Sequence, residues 1–134
     1  MTSTTPLTGK RVAIVEDEGI IVLQLTKALT RAGLQVVGHA NDAQGGIDMV
    51  LQERPDLVLM DINLPGDLNG LDAAEAILAV YPVCVVILSA YSADEFRERV
   101  AGFSACGYIA KPIASDKLIP ELERAMSNWS QARS

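Results

Sequence analysis

The sequence predicts an α/β fold, a doubly wound parallel sheet of five strands with helices on both faces. Three observations lead there. Five short apolar runs recur along the chain, each is followed by a turn, and a stretch of helical period follows each turn. The runs are RVAIV (11–15), LQVVG (34–38), DLVLM (56–60), VCVVIL (83–88) and GYIA (107–110). They are near-continuous in Val, Ile and Leu, the pattern of strands buried on both faces rather than of half-exposed ones. Strand alternating with helix then implies parallel neighbours with helices above and below. The 134 residues suit one domain, and 49% hydrophobic content is enough for a sizeable core, which argues against disorder.

The elements follow in order. Residues 1–9, rich in Thr and Ser with Pro6 and Gly9, read as a flexible lead, and the folded domain spans 10–128. In the first helix Ile21, Leu25, Ala28 and Ala32 share a face, with Gly33 placed as its stop. The second covers roughly 43–53 and runs into Arg54-Pro55. The third covers 71–80 and ends before Tyr81-Pro82. The fourth, 93–102, opens on Ser92, an N-cap with Glu95 three residues on. The fifth runs from about 115 to 130, and 129–134 form a polar tail beginning at Trp129.

Charge and composition exclude several classes. A net charge of −6 argues against direct nucleic-acid binding, which needs clustered Lys and Arg. The longest apolar run, VCVVIL, is far too short to span a membrane, and MTSTTPLTGK lacks the apolar core of a signal peptide. Cys84 and Cys106 sit in apolar surroundings and read as buried, reduced thiols of a cytoplasmic protein. His39, the only histidine, reads as a surface residue after the second strand.

In a doubly wound sheet, ligands bind at the carboxyl ends of the strands. Four of the five apolar runs deliver a chemically capable residue there: Glu16 and Asp17, then Asp61, Ser89 and Lys111. The second run is followed by Asn41 and Asp42. The stretch VEDEG (15–19) puts three carboxylates directly after a buried run. Like charges at 4 Å repel by about 4 kcal/mol at an effective dielectric of about 20. Adjacent carboxylates at a strand end therefore point to a cation or to tuned proton chemistry. Glu18 reads as a solvated first-turn residue, favourable near a helix N-terminus.

As a set, Glu16-Asp17, the Asp61 of MDINLPG, Ser89-Ala90, Tyr108 and Lys111-Pro112 resemble the receiver domain of two-component response regulators, from about residue 10 to 128. The resemblance implies the flavodoxin-like strand order 2-1-3-4-5. It implies Asp61 as phosphoacceptor, with Lys111 neutralising a phosphoryl oxygen and Ser89 hydrogen-bonding another. It implies Mg2+, held by Asp17 and Asp61, the backbone carbonyl of Asn63 and, through water, Glu16. Ala90 leaves room for the phosphodonor, Ser89 and Tyr108 form a conformational switch, and the Lys111-Pro112 bond is cis. Asn63 and Tyr91 flank the water that attacks the phosphoaspartate. Two departures stand out: Glu16 where many receivers have Asp, and a longer loop, PGDLNG, in which Asp67 and Asn69 read as turn formers.

The implied partners are a sensor histidine kinase or histidine phosphotransfer protein, recognised on the first helix, and an unknown output protein or domain. The 92–128 face is the reporting surface and the surface for a homodimer, although Asp94, Arg97, Glu98 and Arg99 read as a solvated face. The chain is expected not to be an enzyme beyond slow self-phosphotransfer and autodephosphorylation. A magnesium-dependent phosphatase with an Asp nucleophile wants an acid two residues on, where Gly19 follows Asp17 and Asn63 follows Asp61. VEDEG would repel the phosphate of a flavodoxin-type cofactor, and there is no G-x-x-x-x-G-K-[ST] loop. Two alternatives stay open: a phosphorylation-independent, degenerate receiver that binds protein, or the receiver fragment of a larger, antitermination-type regulator.

Overall fold

The computed structural model describes residues 7–90 and 107–133. Five strands, β1 (Arg11–Val15), β2 (Gln35–Ala40), β3 (Leu57–Asp61), β4 (Cys84–Ser89) and β5 (Gly107–Ala110), form one parallel sheet in the order β2-β1-β3-β4-β5. The described helices are α1 (Gly19–Arg31), α2 (Ala43–Glu53), α3 (Gly70–Leu78) and α4 (Ser115–Arg133). This is the flavodoxin-like doubly wound order. The expected helix at 93–102 with its Ser92 cap, Tyr91, Cys106 and the charges Asp94, Arg97, Glu98 and Arg99 lie outside the described residues.

The strand pleat divides the core in two. Successive side chains of a strand face opposite ways. Val12 and Ile14, Leu57 and Leu59, and Cys84, Val86 and Leu88 pack with Leu25 and Leu29 of α1 and Leu118, Leu122 and Met126 of α4. The alternate residues, Ala13 and Val15, Val58 and Met60, and Val85 and Ile87, pack with Val50 of α2 and Ala73, Ala74 and Ile77 of α3. Helices α1 and α4 thus cover one face, α2 and α3 the other. Two-sided burial explains why β1, β3 and β4 lack polar alternation.

The second strand departs from that reading. β2 is an edge strand, only partly buried, and runs two residues past the expected LQVVG, so His39 lies within it rather than after it. An edge strand tolerates polar residues because one face and one ladder meet solvent. Its register also slips: Val12 pairs with Val36 but Ala13 with Gly38, leaving Val37 as the extra residue of a bulge. Strands β3 and β4 include Asp61 and Ser89 as their last residues.

Two expected boundaries are corrected. Residues 7–9 do not belong to a loose lead: Leu7 is buried in the α1/α4 core, and the Gly9 N–H donates to the Gly33 carbonyl at 2.8 Å. A single apolar side chain among Thr and Ser was enough to anchor the segment. At the other end no break falls at residue 129, because α4 continues to Arg133 and Trp129 packs on the same core.

Gly33 stops α1 as expected, and the geometry shows how. Its φ of +92 is left-handed. The Gly33 N–H donates to the Thr30 carbonyl at 3.0 Å and the Leu34 N–H to the Leu29 carbonyl at 3.0 Å. These are the paired bonds of a Schellman cap, and buried Leu29 and Leu34 supply its hydrophobic contact. A Cβ at Gly33 would also press on Thr8 Cγ2 at 3.3 Å. Gly33→Ala is therefore expected to cost about 1–2 kcal/mol, read as a lower urea midpoint with an unchanged slope.

Candidate functional site

The pleat also sorts the polar residues at the carboxyl edge. Glu16, Asp61 and Lys111 share the parity of Ile14, Leu59 and Ile109, and so lie on the α1/α4 side. Ser89 and Tyr108 share the parity of Ile87 and lie on the α2/α3 side, where Tyr108 packs against the core. Backbone bonds carry the ladder past the strand ends: Glu16 N–H to the Ala40 carbonyl (2.9 Å), Ile62 N–H to Leu88 (3.1 Å) and Lys111 N–H to Ser89 (2.8 Å). The residues that carry the chemistry thus stand on ordered backbone rather than on free loops.

At the centre is an ion triad. Lys111 Nζ lies 2.5 Å from Glu16 Oε1 and 3.1 Å from Asp61 Oδ2. Glu16 is 1% exposed and Asp61 2% exposed, while the Lys111 side chain is 13% exposed. The free oxygens are bound by backbone: Asp17 N–H donates to Glu16 Oε2 at 2.9 Å, and Asn63 N–H to Asp61 Oδ1 at 3.1 Å. Asp17 is exposed, and one oxygen from each of Glu16, Asp17 and Asp61 lies within 4.8 Å of the others. The Lys111–Pro112 peptide is cis.

Burial raises the pKa of Glu16 above its ordinary 4.5, and the neighbouring Asp61 adds to this, while Lys111 opposes it. Burial alone would lower Lys111, but the close contact with Glu16 and the charge of Asp61 together hold it above 10.5. The ammonium is therefore charged at neutral pH. Glu16 Oε1 is buried and accepts no aligned hydrogen bond, its contact with Lys111 being ionic. Three carboxylates against one ammonium leave two negative charges uncompensated when all are ionised. A divalent cation fits that balance and the all-oxygen donor set.

Most of the expected residues meet here. Glu16, Asp17, Asp61 and Lys111 converge, Asn63 joins through its backbone, and Ser89 is joined by its carbonyl to the Lys111 backbone. Glu18 is exposed at the N-cap of α1 and makes no side-chain cap. Asp42 instead caps α2, accepting from Gly45 N–H at 2.7 Å, and Asn69 caps α3 in a reciprocal capping box with Asp72. The direct Glu16–Lys111 pairing was not expected. Its only signal was that the VEDEG carboxylates needed a cation. Gly70, fully buried at the start of α3, was noticed only as part of the loop pattern.

This edge defines an acidic, cation-suited class of doubly wound α/β domain. A family model for the response regulator receiver domain matches residues 12–123, and the chain belongs to that family. It is 35% identical to the transcriptional regulatory protein PdtaR of Mycobacterium tuberculosis over 122 residues, which cover 91% of this chain and 59% of that one. The chain thus spans about three-fifths of that relative's length. It is 29% identical to the chemotaxis protein CheY of Thermotoga maritima, over 87% of this chain and 97% of CheY. Among solved structures, the signal receiver domain of a modulated diguanylate cyclase from Desulfovibrio desulfuricans G20 superposes with a TM-score of 0.82 at 27% identity, covering 92% of this chain and 98% of that one. The N-terminal domain of a response regulator/sensory box/GGDEF protein from Carboxydothermus hydrogenoformans gives 0.82 at 28% identity, with coverages of 93% and 100%.

Removing the ammonium leaves two buried carboxylates without a cation. Lys111→Met is expected to cost about 3 kcal/mol at pH 8 in chelator. The cost is expected to be smaller at pH 5.5, because Glu16, already raised above 4.5 and now without Lys111, takes up a proton more readily as pH falls. Urea denaturation at the two pH values checks both the size and the sign.

Proposed function

We propose that this receiver takes a phosphoryl group onto Asp61 from a histidine kinase or histidine phosphotransfer protein and passes the signal on by a conformational switch. The single observation that carries this reading is the placing of Asp61: a nearly buried carboxylate, 3.1 Å from an ammonium, inside a cluster suited to a divalent cation. A carboxylate oxygen attacks phosphorus, the bond to the donor's nitrogen or oxygen breaks, and the donor leaves with the electron pair. The product is an acyl phosphate on Asp61. Such transfer depends on positioning and charge neutralisation more than on covalent chemistry.

Each residue then has a task. Lys111, charged at neutral pH, meets a phosphoryl oxygen, and the Ser89 hydroxyl meets another. Asn63 N–H fixes the rotation of the Asp61 carboxylate through Oδ1. Receiver domains bind Mg2+ at an acidic pocket of this kind. Here Asp17 and Asp61, the Asn63 carbonyl and, through water, Glu16 are the residues that would hold it. When bound, it supplies charge neutralisation for the incoming phosphoryl oxygens. Drawing Ser89 toward the phosphoryl group frees space on the α2/α3 side, where Tyr108 responds, so that a local charge event gains a wider readout.

The phosphodonor partner meets α1, which exposes Ile20 (74%) and Leu23 (54%) and begins beside Asp17. Phosphoryl transfer without rapid turnover makes the domain a signalling module rather than an enzyme, working in the cytoplasm, where such donors act. Among the described residues no helix is long and apolar enough to cross a membrane. A second reading, a receiver within a longer regulator, is favoured by the 59% coverage of PdtaR.

Intact mass after incubation with acetyl phosphate tests the proposal. The expected result is a labile gain of one phosphoryl group that needs both Mg2+ and Asp61, and is lost in Asp61→Asn. No gain in the folded protein from acetyl phosphate or any histidine phosphodonor would instead indicate a phosphorylation-independent binding module. Mg2+ at a hundred times its dissociation constant is expected to stabilise the wild type by about 2.7 kcal/mol. Asp17→Asn should abolish most of that shift, as read by thermal denaturation. Affinity should fall as pH drops, and the fall should begin above pH 4.5, because Glu16 protonates early.

A further inference from the structure

Gly70 opens α3 with its backbone pressed onto the phosphoacceptor strand. A Cβ at this position would overlap the Asp61 carbonyl oxygen and would lie 2.8 Å from the Asp61 carbonyl carbon and 3.0 Å from Ile62 Cα. All three are backbone atoms, so no side-chain rotation relieves the clash. Gly70 is not among the left-handed glycines, so space rather than conformation requires glycine here. Its N–H donates to the Ile62 carbonyl at 2.9 Å, and the Ile62 N–H donates to the Leu88 carbonyl at 3.1 Å. The backbone around Ile62 is therefore held between β4, which bonds the Asp61–Ile62 peptide, and the first turn of α3, which bonds the Ile62 carbonyl and lies against the Asp61 carbonyl. The Asn69–Asp72 capping box fixes where that turn begins: Asp72 N–H donates to Asn69 Oδ1 at 2.9 Å, and Asn69 N–H to Asp72 Oδ2 at 2.9 Å.

We infer that Gly70 is a positioning residue for the phosphoacceptor, and that the capped start of α3 clamps the Asp61 backbone so that its carboxylate stands within reach of Lys111 and the Glu16–Asp17 pair. The kinetic part rests on the function proposed above, whereas the geometric part does not. Any side chain at position 70 must move either α3 or the Asp61 peptide. Because β4 holds the far side, movement of the peptide swings the carboxylate out of a site whose contacts are 3.1 Å long. A misplacement of about 1 Å is enough to slow a positioned reaction by about a hundredfold.

The test uses the crystal structure, the Mg2+ affinity by calorimetry and the acetyl phosphate uptake rate of Gly70→Ala. Leu122→Ala, in the α1/α4 core, serves as a control of lowered stability. In Gly70→Ala the Asp61 Oδ2–Lys111 Nζ contact should open beyond 3.1 Å, Mg2+ binding should weaken, and uptake should fall about tenfold or more. Leu122→Ala should keep wild-type affinity and rate. Should Gly70→Ala not fold, Asn69→Ala loosens the clamp with Gly70 in place, and its slowed uptake should be restored in Asn69→Asp, which keeps the cap. A Gly70→Ala crystal with Asp61 unmoved and α3 displaced overturns the inference, as does wild-type uptake in Asn69→Ala. If the wild type takes up no phosphoryl group while Asp61 moves in Gly70→Ala, the functional reading falls and the positioning role stands.

Discussion

Two nearly buried carboxylates, Glu16 and Asp61, share one ammonium, and the arrangement of the carboxyl edge follows from that necessity. A charged group removed from water without partners is prohibitively costly, and a paired one only becomes tolerable when its remaining lone pairs are also satisfied. Here the backbone does that work. Asp17 N–H and Asn63 N–H take the carboxylate oxygens that Lys111 does not reach. Both donors belong to residues immediately beyond strand ends, so the same chain reversal that ends a strand also completes the charge site. What remains uncompensated is a surplus of negative charge, three carboxylates against one ammonium, and this surplus makes the edge receptive to a divalent cation rather than to an anion.

The pleat decides which residues can take part. A shift of one residue in β3 or β5 would exchange a charged group for an apolar one at the same edge. Parity also divides the site. The charged triad lies toward α1 and α4, Ser89 and Tyr108 toward α2 and α3, and the Lys111–Ser89 backbone bond joins the two sides. The two sides are separated by the thickness of a single sheet, in which β4 and β5 lie in register, with Ser89 opposite Ala110 and Ile87 opposite Tyr108.

Much of this was legible in the chain because buried parallel strands write themselves plainly. Near-continuous Val, Ile and Leu located β1, β3, β4 and β5 to within a residue, and Gly33 marked the end of α1 through its left-handed backbone. The strand-end rule then placed Asp17, Asp61 and Lys111 at one edge, and resemblance to receivers supplied their proposed roles. Legibility failed where tertiary context overrides local pattern. β2 extends past the apolar run because an edge strand accommodates His39, whereas a strand buried on both faces does not. Leu7 was overlooked because one apolar residue has no periodicity. Gly70 could not be distinguished from an ordinary loop glycine, since its reason lies in the Asp61 carbonyl, nine residues away and reached only after the chain turns back.

The glutamate at position 16 shows how a departure from the common receiver pattern can still serve the same site. Its carboxylate has two tasks: one oxygen meets the Lys111 ammonium across the edge, and the other accepts the N–H of the very next residue at 2.9 Å. Folding back onto its own turn while reaching across to β5 takes side-chain length. An aspartate, one methylene shorter, would give up one of these contacts or draw the backbone inward. The longer acid thus keeps Lys111 paired deep in the site while leaving the exposed Asp17 carboxylate outward. The exposed Asp17 carboxylate stands at the solvent side of the cluster, while Asp61 and the Glu16–Lys111 pair are nearly buried.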